Sequence, residues 1–346
     1  MTRQGRDKQG DAQLSRRVFL GSTLAVSALS ALGGARFARA ASGPIILRFG
    51  AAQAPATANV RAMELFRDEL GKLSGGQFKV EVYPSGQLGS FRETMEATQL
   101  GTQQMQVATP SIASPFARKM DVMSLLFLAG SKEKVFAAME GDFGKRLGTA
   151  MEEVGFKILA WWDAAPRHFL NNRRPINTPA DLKGLKMRVQ ESPVWVKSMT
   201  ALGANPVALD FKELFSALQQ NVIDGYEGLA TDVDKQSMHQ VVKYMSLSSH
   251  LFDVFGVYIN KRLYDGLTPE QQRMLNEAMK TATVWQRRTQ AADVAESQAK
   301  LGKFMQVNEI SPANRKLFAD RVRPVYRDFE RDLGKDLIDE AIKALR

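Results

Sequence analysis

The run from Ile45 to Val82 constrains the fold more than any other stretch. Ile45–Gly50 reads as a strand. A helix from about Thr57 to Lys72 places Val60, Met63, Phe66, Leu70 and Leu73 on one face at three- and four-residue spacing. Gly75-Gly76 breaks that pattern, and Phe78, Val80 and Val82 then alternate as a second strand. Strand, helix and strand in so short a span imply a right-handed parallel crossover. The theme repeats with a helix near 91–101, a strand near 104–109, a helix near 133–154 and a strand over 156–162. An α/β sheet is the fold class that such a sequence can build.

A second α/β unit begins after that strand. Residues 185–189, 205–209 and 222–226 read as strands, with helices near 193–202 and 211–220 between them. Asp210 followed three residues later by Glu213 gives the second helix a capping-box start. No low-complexity linker separates the two units, so the connection is expected to be a strand or helix that crosses between them, as a hinge requires. Thr268-Pro269-Glu270-Gln271 opens a further helix that runs to about Lys303. At about 1.5 Å per residue it is roughly 50 Å long, more than one small domain, so it must bridge both units or kink. Residues 312–346 add a terminal helical layer. A chain of 346 residues that is 44% hydrophobic has enough material for two such domains.

The first forty residues stand apart. Ser15-Arg16-Arg17-Val18-Phe19-Leu20 is a twin-arginine pattern ahead of an apolar run from about Leu24 to Leu32, and Ala38-Arg39-Ala40 supplies a small-x-small cleavage site. That run is too short and too rich in Ala and Ser to span a membrane stably. The mature chain is therefore expected to be exported, free of disulfides because the sequence has no cysteine, and without the cysteine that a lipid anchor needs. Net charge is +10, but the leader carries seven Lys/Arg against two Asp/Glu, half of that excess. The rest is spread along the chain with no basic run, which argues against nucleic acid and suits a mild attraction for anionic ligands.

Signals for catalysis are poor. His168, His239 and His250 are the only histidines, no two of them in helical register, so a metal site is not expected. No Gly-rich phosphate loop follows a strand, and Ser192 and Ser216 have no base near them in sequence. Arginines are more informative. Thr178 can cap a short turn with Pro179 in its first position, Asp181 suits that turn, and Gly184 can end it. Leu185, Met187 and Val189 then face one way on a strand, while Lys186 and Arg188 face the other. A rigidly held arginine offers a planar fork of donors matched to a carboxylate. From the local pattern alone, the plainer reading is a surface arginine in an ion pair. Trp161-Trp162-Asp163-Ala164-Ala165-Pro166-Arg167 follows the last strand of the first unit, where ligands of open α/β sheets collect.

From about Ile45 to the C-terminus the chain resembles the TRAP-transporter solute-binding proteins of the DctP family. The resemblance rests on Tyr83-Pro-Ser-Gly-Gln-Leu-Gly89, Arg174-Pro-Ile176, Ala180-Asp-Leu-Lys-Gly-Leu-Lys-Met-Arg-Val189 and Leu202-Gly-Ala-Asn-Pro206. It continues through Phe211-Lys-Glu-Leu-Phe-Ser-Ala-Leu-Gln-Gln-Asn-Val-Ile-Asp-Gly225 to Val242-Lys-Tyr-Met-Ser-Leu-Ser-Ser-His250. Each piece is weak alone; their order and spacing together are specific. The resemblance implies a two-lobed periplasmic binding protein of type II, each lobe an α/β unit, with one long helix spanning both. Lobe I is expected to take 41–164 plus about 254–293, and lobe II 165–253 plus about 294–346.

The implied function is capture of an organic acid between the lobes and its delivery to a TRAP permease with a small and a large membrane subunit. No cofactor is implied, and export to the periplasm follows the twin-arginine route. Arg188 and Arg167 match the two arginines that reach the ligand carboxylate in this family, and Phe211 matches a ring that lines the pocket. Trp162 and Phe91 are expected as further walls, with Thr109 and Asn171 as polar contacts. Three positions depart from the sialic-acid-binding members: Phe91 replaces an aspartate, Thr109 a glutamate, and Gly228 an asparagine within Asp224-Gly-Tyr-Glu-Gly228. Each change removes a partner for sugar hydroxyls, which disfavours sialic acid. Dicarboxylates, keto or hydroxy acids and aromatic carboxylates stay open, and Phe91, Tyr226 and a cleft-facing tryptophan lean toward a ligand with an apolar body. An exported enzyme anchoring a carboxylated substrate, or a sensory receptor on the same fold, are the alternative readings.

Overall fold

A computed structural model describes residues 43–346; the twin-arginine pattern, apolar run and cleavage site lie outside them. The described residues form one nine-stranded mixed sheet. Its strands are β1 (Ile45–Gly50), β2 (Phe78–Tyr83), β3 (Met105–Ala108), β4 (Phe156–Asn171), β5 (Lys186–Val189), β6 (Asn205–Ala208), β7 (Gly225–Leu229), β8 (Tyr244–Asn260) and β9 (Gln306–Glu309). The order is β2-β1-β3-β8-β4-β7-β5-β6, with β9 on β8. β1 pairs in parallel with β2 and β3, as the first crossover requires, and β5 does the same with β6 and β7.

The two sets meet on β4 and β8, which run antiparallel side by side from Phe156↔Asn260 to Asn171↔Tyr244. One end of β8 carries β3 and the other carries β9, while β7 lies along the Arg167–Asn171 end of β4. This is the two-lobed architecture, with two long strands passing from one lobe to the other. Both run beyond what the sequence pattern marks, which ends β4 at Trp162 and shows no strand over 244–260. Asp163-Ala-Ala-Pro166 resembles a loop, and the ladder there shifts register at three points, between Ile158 and Ala160, Asp163 and Ala165, and Arg167 and Phe169. Ala165, opposite Asp253, has a positive φ of 78°, a conformation that side-chain-bearing residues rarely adopt.

Both faces of the sheet are covered, giving four cores. Adjacent residues divide between them because neighbouring side chains on a strand point opposite ways. Trp161 joins Phe91, Met95, Phe156 and Tyr258 in one core, and Trp162 joins Phe49, Phe66 and Met279 in another. Further along β4, Phe169 packs with Met187, Val189 and Trp195, and Leu170 with Leu218, Tyr226 and Met245.

The helix Pro269–Leu301 begins with the expected Thr268/Gln271 capping box and touches both lobes. Met274, Leu275 and Met279 sit in the Trp162 core, while Leu301 sits in the Leu170 core. Between them the buried positions turn polar. Gln286 accepts from the Asp163 amide at 2.9 Å and donates to the Asp163 carbonyl at 2.8 Å, beside the point where β4 crosses over. The predicted helix over 133–154 is two, Lys132–Glu140 and Asp142–Glu152. Gly144 explains the close fold-back, since a Cβ there would lie 1.8 Å from the Met139 carbonyl oxygen. Leu73, placed on the buried face by periodicity, is 39% exposed at the end of its helix.

Candidate functional site

The segment before β5 folds as its residues dictate. Asp181 accepts from the amide and hydroxyl of Thr178, closing the turn Pro179–Leu182, and Gly184 takes a positive φ of 76°. Leu185, Met187 and Val189 are buried in one core. Arg188, on the other face, is only 2% exposed, so it is no surface arginine. Its rung neighbours are Val207 on β6 and Tyr226 on β7. Its Nε donates to the Leu209 carbonyl at 2.8 Å, and its guanidinium lies 5.9 Å from the centre of the Phe211 ring. Among the described residues it forms no ion pair. Burial pushes its pKa down to about 10; the Glu227 carboxylate opposes that and Arg167 adds to it.

Arg167 is buried too, and its surroundings are the opposite. Nε and Nη2 grip the Glu227 carboxylate, the latter at 3.0 Å, and Nη2 also donates to the Glu227 carbonyl. Nη1 donates to Asp253 Oδ2 at 3.0 Å, and the guanidinium stands 5.7 Å from the Trp195 ring. Burial would lower its pKa, but Glu227 and Asp253 outweigh that and hold it above the ordinary range. Glu227 stays below the usual carboxylate range, because Arg167 overcomes the effect of burial. Asp253 and Asp232 do not escape it: burial lifts each to about 6 despite Arg167.

Several predicted residues gather near Arg188. The rings of Phe211 and Phe91 are 6.2 Å apart. Asp210 accepts from the Phe91 amide at 3.3 Å and from the Lys212 amide at 2.9 Å, so its carboxylate joins two distant segments and does not form the predicted box with Glu213. Thr109 donates to Gln190 Oε1 at 2.6 Å, linking the end of β3 to the end of β5. Tyr226 is buried in register with Arg188, and its hydroxyl has no partner within the protein. The Gln190 amide nitrogen is also buried and unpartnered.

Three expectations are corrected. Trp162 is fully buried in the core, its ring 6.3 Å from Phe49 and its Nε1 bonded to Thr283, so it supplies no wall. Asn171 sits at the far end of β4. Its side chain is occupied by the 171–174 turn, accepting from the Arg173 and Arg174 amides and donating to the Arg174 carbonyl. Gly228 offers no contact of its own; a Cβ there would lie 2.5 Å from the Tyr226 ring, which covers the position.

Sequence reasoning missed Gln190, Trp195, Glu227 and Asp253. Gln190 directly follows Arg188-Val189, and that position was a readable signal. The pairing of Arg167 with residues 60 and 86 positions away carried none.

Residues 49–332 match the bacterial extracellular solute-binding protein family 7, DctP. The chain belongs to this family, the solute-binding proteins of TRAP transporters. It is similar to the C4-dicarboxylate-binding periplasmic protein DctP of Rhodobacter capsulatus, 31% identical over 339 residues, covering 96% of this chain and 98% of that one. It is also similar to the 2,3-diketo-L-gulonate-binding periplasmic protein YiaO of Escherichia coli strain K12, 31% identical over 298 residues, covering 84% and 90%. Among solved structures it matches a TRAP periplasmic solute-binding protein from Polaromonas sp. JS666 bound to D-erythronate. The TM-score is 0.83 and the identity 30%, covering 87% of this chain and 99% of that one. These relatives are binding proteins, and no described helix here is long and apolar enough to cross a membrane.

Proposed function

We propose that the protein captures an organic acid by its carboxylate on Arg188, between two lobes that close over it. One observation carries the reading: a guanidinium 2% exposed, held by a backbone carbonyl at Nε and lacking a carboxylate partner among the described residues. An unneutralised buried cation is costly, and an anionic ligand removes that cost. Relatives that bind a dicarboxylate, a diketo acid and an aldonate support the ligand class. Phe211 and Phe91 serve as walls and Thr109 as a polar support through Gln190. The lobes are 41–164 with about 254–293 and 165–253 with about 294–346, hinged where β4, β8 and the long helix cross. The protein reaches the periplasm by the twin-arginine route and hands its ligand unchanged to the small and large subunits of a TRAP permease.

A thermal-shift screen of the protein, stripped of co-purified ligand, against a panel of carboxylic acids tests this. Ligand at about a thousand times its dissociation constant adds roughly 4 kcal/mol, a clear rise in Tm. The expected hit disappears in Arg188→Ala. Silence across the panel, or a hit indifferent to Arg188, rejects the carboxylate anchor. Scattering profiles that coincide with and without a tightly bound acid reject closure.

A further inference from the structure

The relatives span two ligand chemistries, acids with two carboxylates and hydroxy or keto acids with one, and the groups around Arg188 distinguish them. Resting on the proposed anchoring at Arg188, we infer that the ligand carries a single carboxylate and a hydroxylated body, with Tyr226 and Gln190 as the residues that read the hydroxyls. Arg167 is a framework group and takes no second carboxylate.

A guanidinium has five N–H donors. Arg167 directs four bonds to Glu227 and Asp253, so two buried carboxylates already hold it. A ligand carboxylate approaching Arg167 would have to enter beside both. The charges acting most strongly on Arg188 tell the same story: Glu227 and Asp210 are acids, and Arg167 is the one base. One incoming carboxylate satisfies Arg188. A second has no free cation in this group and faces anions of its own sign, which costs more the drier the site.

Two unsatisfied groups near Arg188 in register or sequence are neutral. The Tyr226 hydroxyl and the Gln190 amide nitrogen are both buried without a partner. Tyr226 stands on the rung of Arg188, and Gln190 follows two residues after it. Rotating the Gln190 amide does not remove the vacancy, since Thr109 Oγ1 engages only one of its two ends. A phenol and an amide are suited to alcohol groups, donating to or accepting from them without a charge. Gly228 fits this arrangement, because any side chain there would displace the Tyr226 ring. The apolar body favoured by sequence loses its tryptophan to the core, and Tyr226 contributes a hydroxyl as well as a ring.

Calorimetric titration with acids of equal length tests the inference. At four carbons the probes are erythronate, succinate and butyrate; at six they are galactonate, adipate and hexanoate. The expected result is that an aldonate binds at least about tenfold tighter than the dicarboxylate and the plain acid of its own length. In Tyr226→Phe the aldonate weakens about tenfold, while the plain acid changes by less than about twofold. The wild-type ranking stands even if the variant misfolds. A dicarboxylate that outbinds the aldonate and is lost in Arg188→Ala overturns the inference and leaves the Arg188 anchor intact. Equal weakening of both acids by Tyr226→Phe overturns the hydroxyl readout. If no acid binds at either length, the anchor falls and the inference with it.

Discussion

Arg167 and Arg188 are the same side chain, both buried, on strands of one sheet with β7 between them, yet their surroundings are opposite. Arg167 is surrounded by Glu227 and Asp253 and belongs to the fold. Arg188 has a backbone carbonyl at Nε and an aromatic ring beside it, and has no carboxylate partner among the described residues. Burial alone therefore does not mark a binding residue. What marks it is burial without a counter-charge, because the protein bears that cost only where a partner is to arrive.

The largest expected effect breaks the pair apart at Arg167. Arg167→Ala leaves two carboxylates buried without their cation, and denaturant unfolding at pH 7 should show a loss of about 3–5 kcal/mol. Acid should reduce that loss. A carboxyl whose folded pKa is raised, as Asp253's is, gains stability as pH falls through that pKa, and removing Arg167 raises it further. A loss unchanged between pH 7 and pH 5 contradicts the framework role. Arg188→Ala should do the reverse, costing on the order of 3 kcal/mol of ligand binding, about a hundredfold in Kd, while unfolding of the free protein moves by less than about 1 kcal/mol. Equal damage to stability from both substitutions would erase the distinction.

A finer test lies in His168, next to Arg167 in sequence, which accepts from the Ser249 amide at 3.2 Å and which burial holds down to about 3. A histidine lowered on folding contributes stability above its unfolded pKa, near 6.5, and loses it as pH falls toward the folded value. The stability of wild type relative to His168→Asn should therefore decline by about 1.4 kcal/mol per pH unit below 6.5. A pH-independent difference contradicts a neutral buried imidazole. The smallest effect lies at the crossing of the lobes. Ala165→Gly removes the clash that a side chain meets at positive φ and should stabilise the protein by about 1 kcal/mol, read as a small rise in Tm.

Local chemistry was legible in the sequence. The first crossover, the Thr178 turn with Asp181, the Thr268/Gln271 box and the face of Arg188 all follow from spacing within a few residues, while the Asp210/Glu213 box it also suggests does not form. The long strands were not. β8 contains Val254-Phe-Gly-Val-Tyr-Ile259, buried on both faces, so it lacks the alternation that marks a half-exposed strand. β4 is disguised by Pro166 and by its register shifts. Adjacent tryptophans announce opposite faces without saying what each face meets, and here both meet protein. The role of Arg167 depends on Glu227 and Asp253, which the fold alone brings near. Charge matching across such distances leaves no trace in a single sequence.

The antiparallel pairing of β4 and β8 also sets an order in time. β3 is the edge of its parallel set until β8, some 150 residues later, arrives to cover it. At about 5–20 residues per second, synthesis leaves the β3 edge unpaired for roughly 7–30 seconds, and β4 without β8 for somewhat less. Neither lobe can finish as the chain emerges, since each needs a strand from beyond the other. The exposed edges of β3 and β4 are the places where a newly made chain is most open to pairing with another copy of itself.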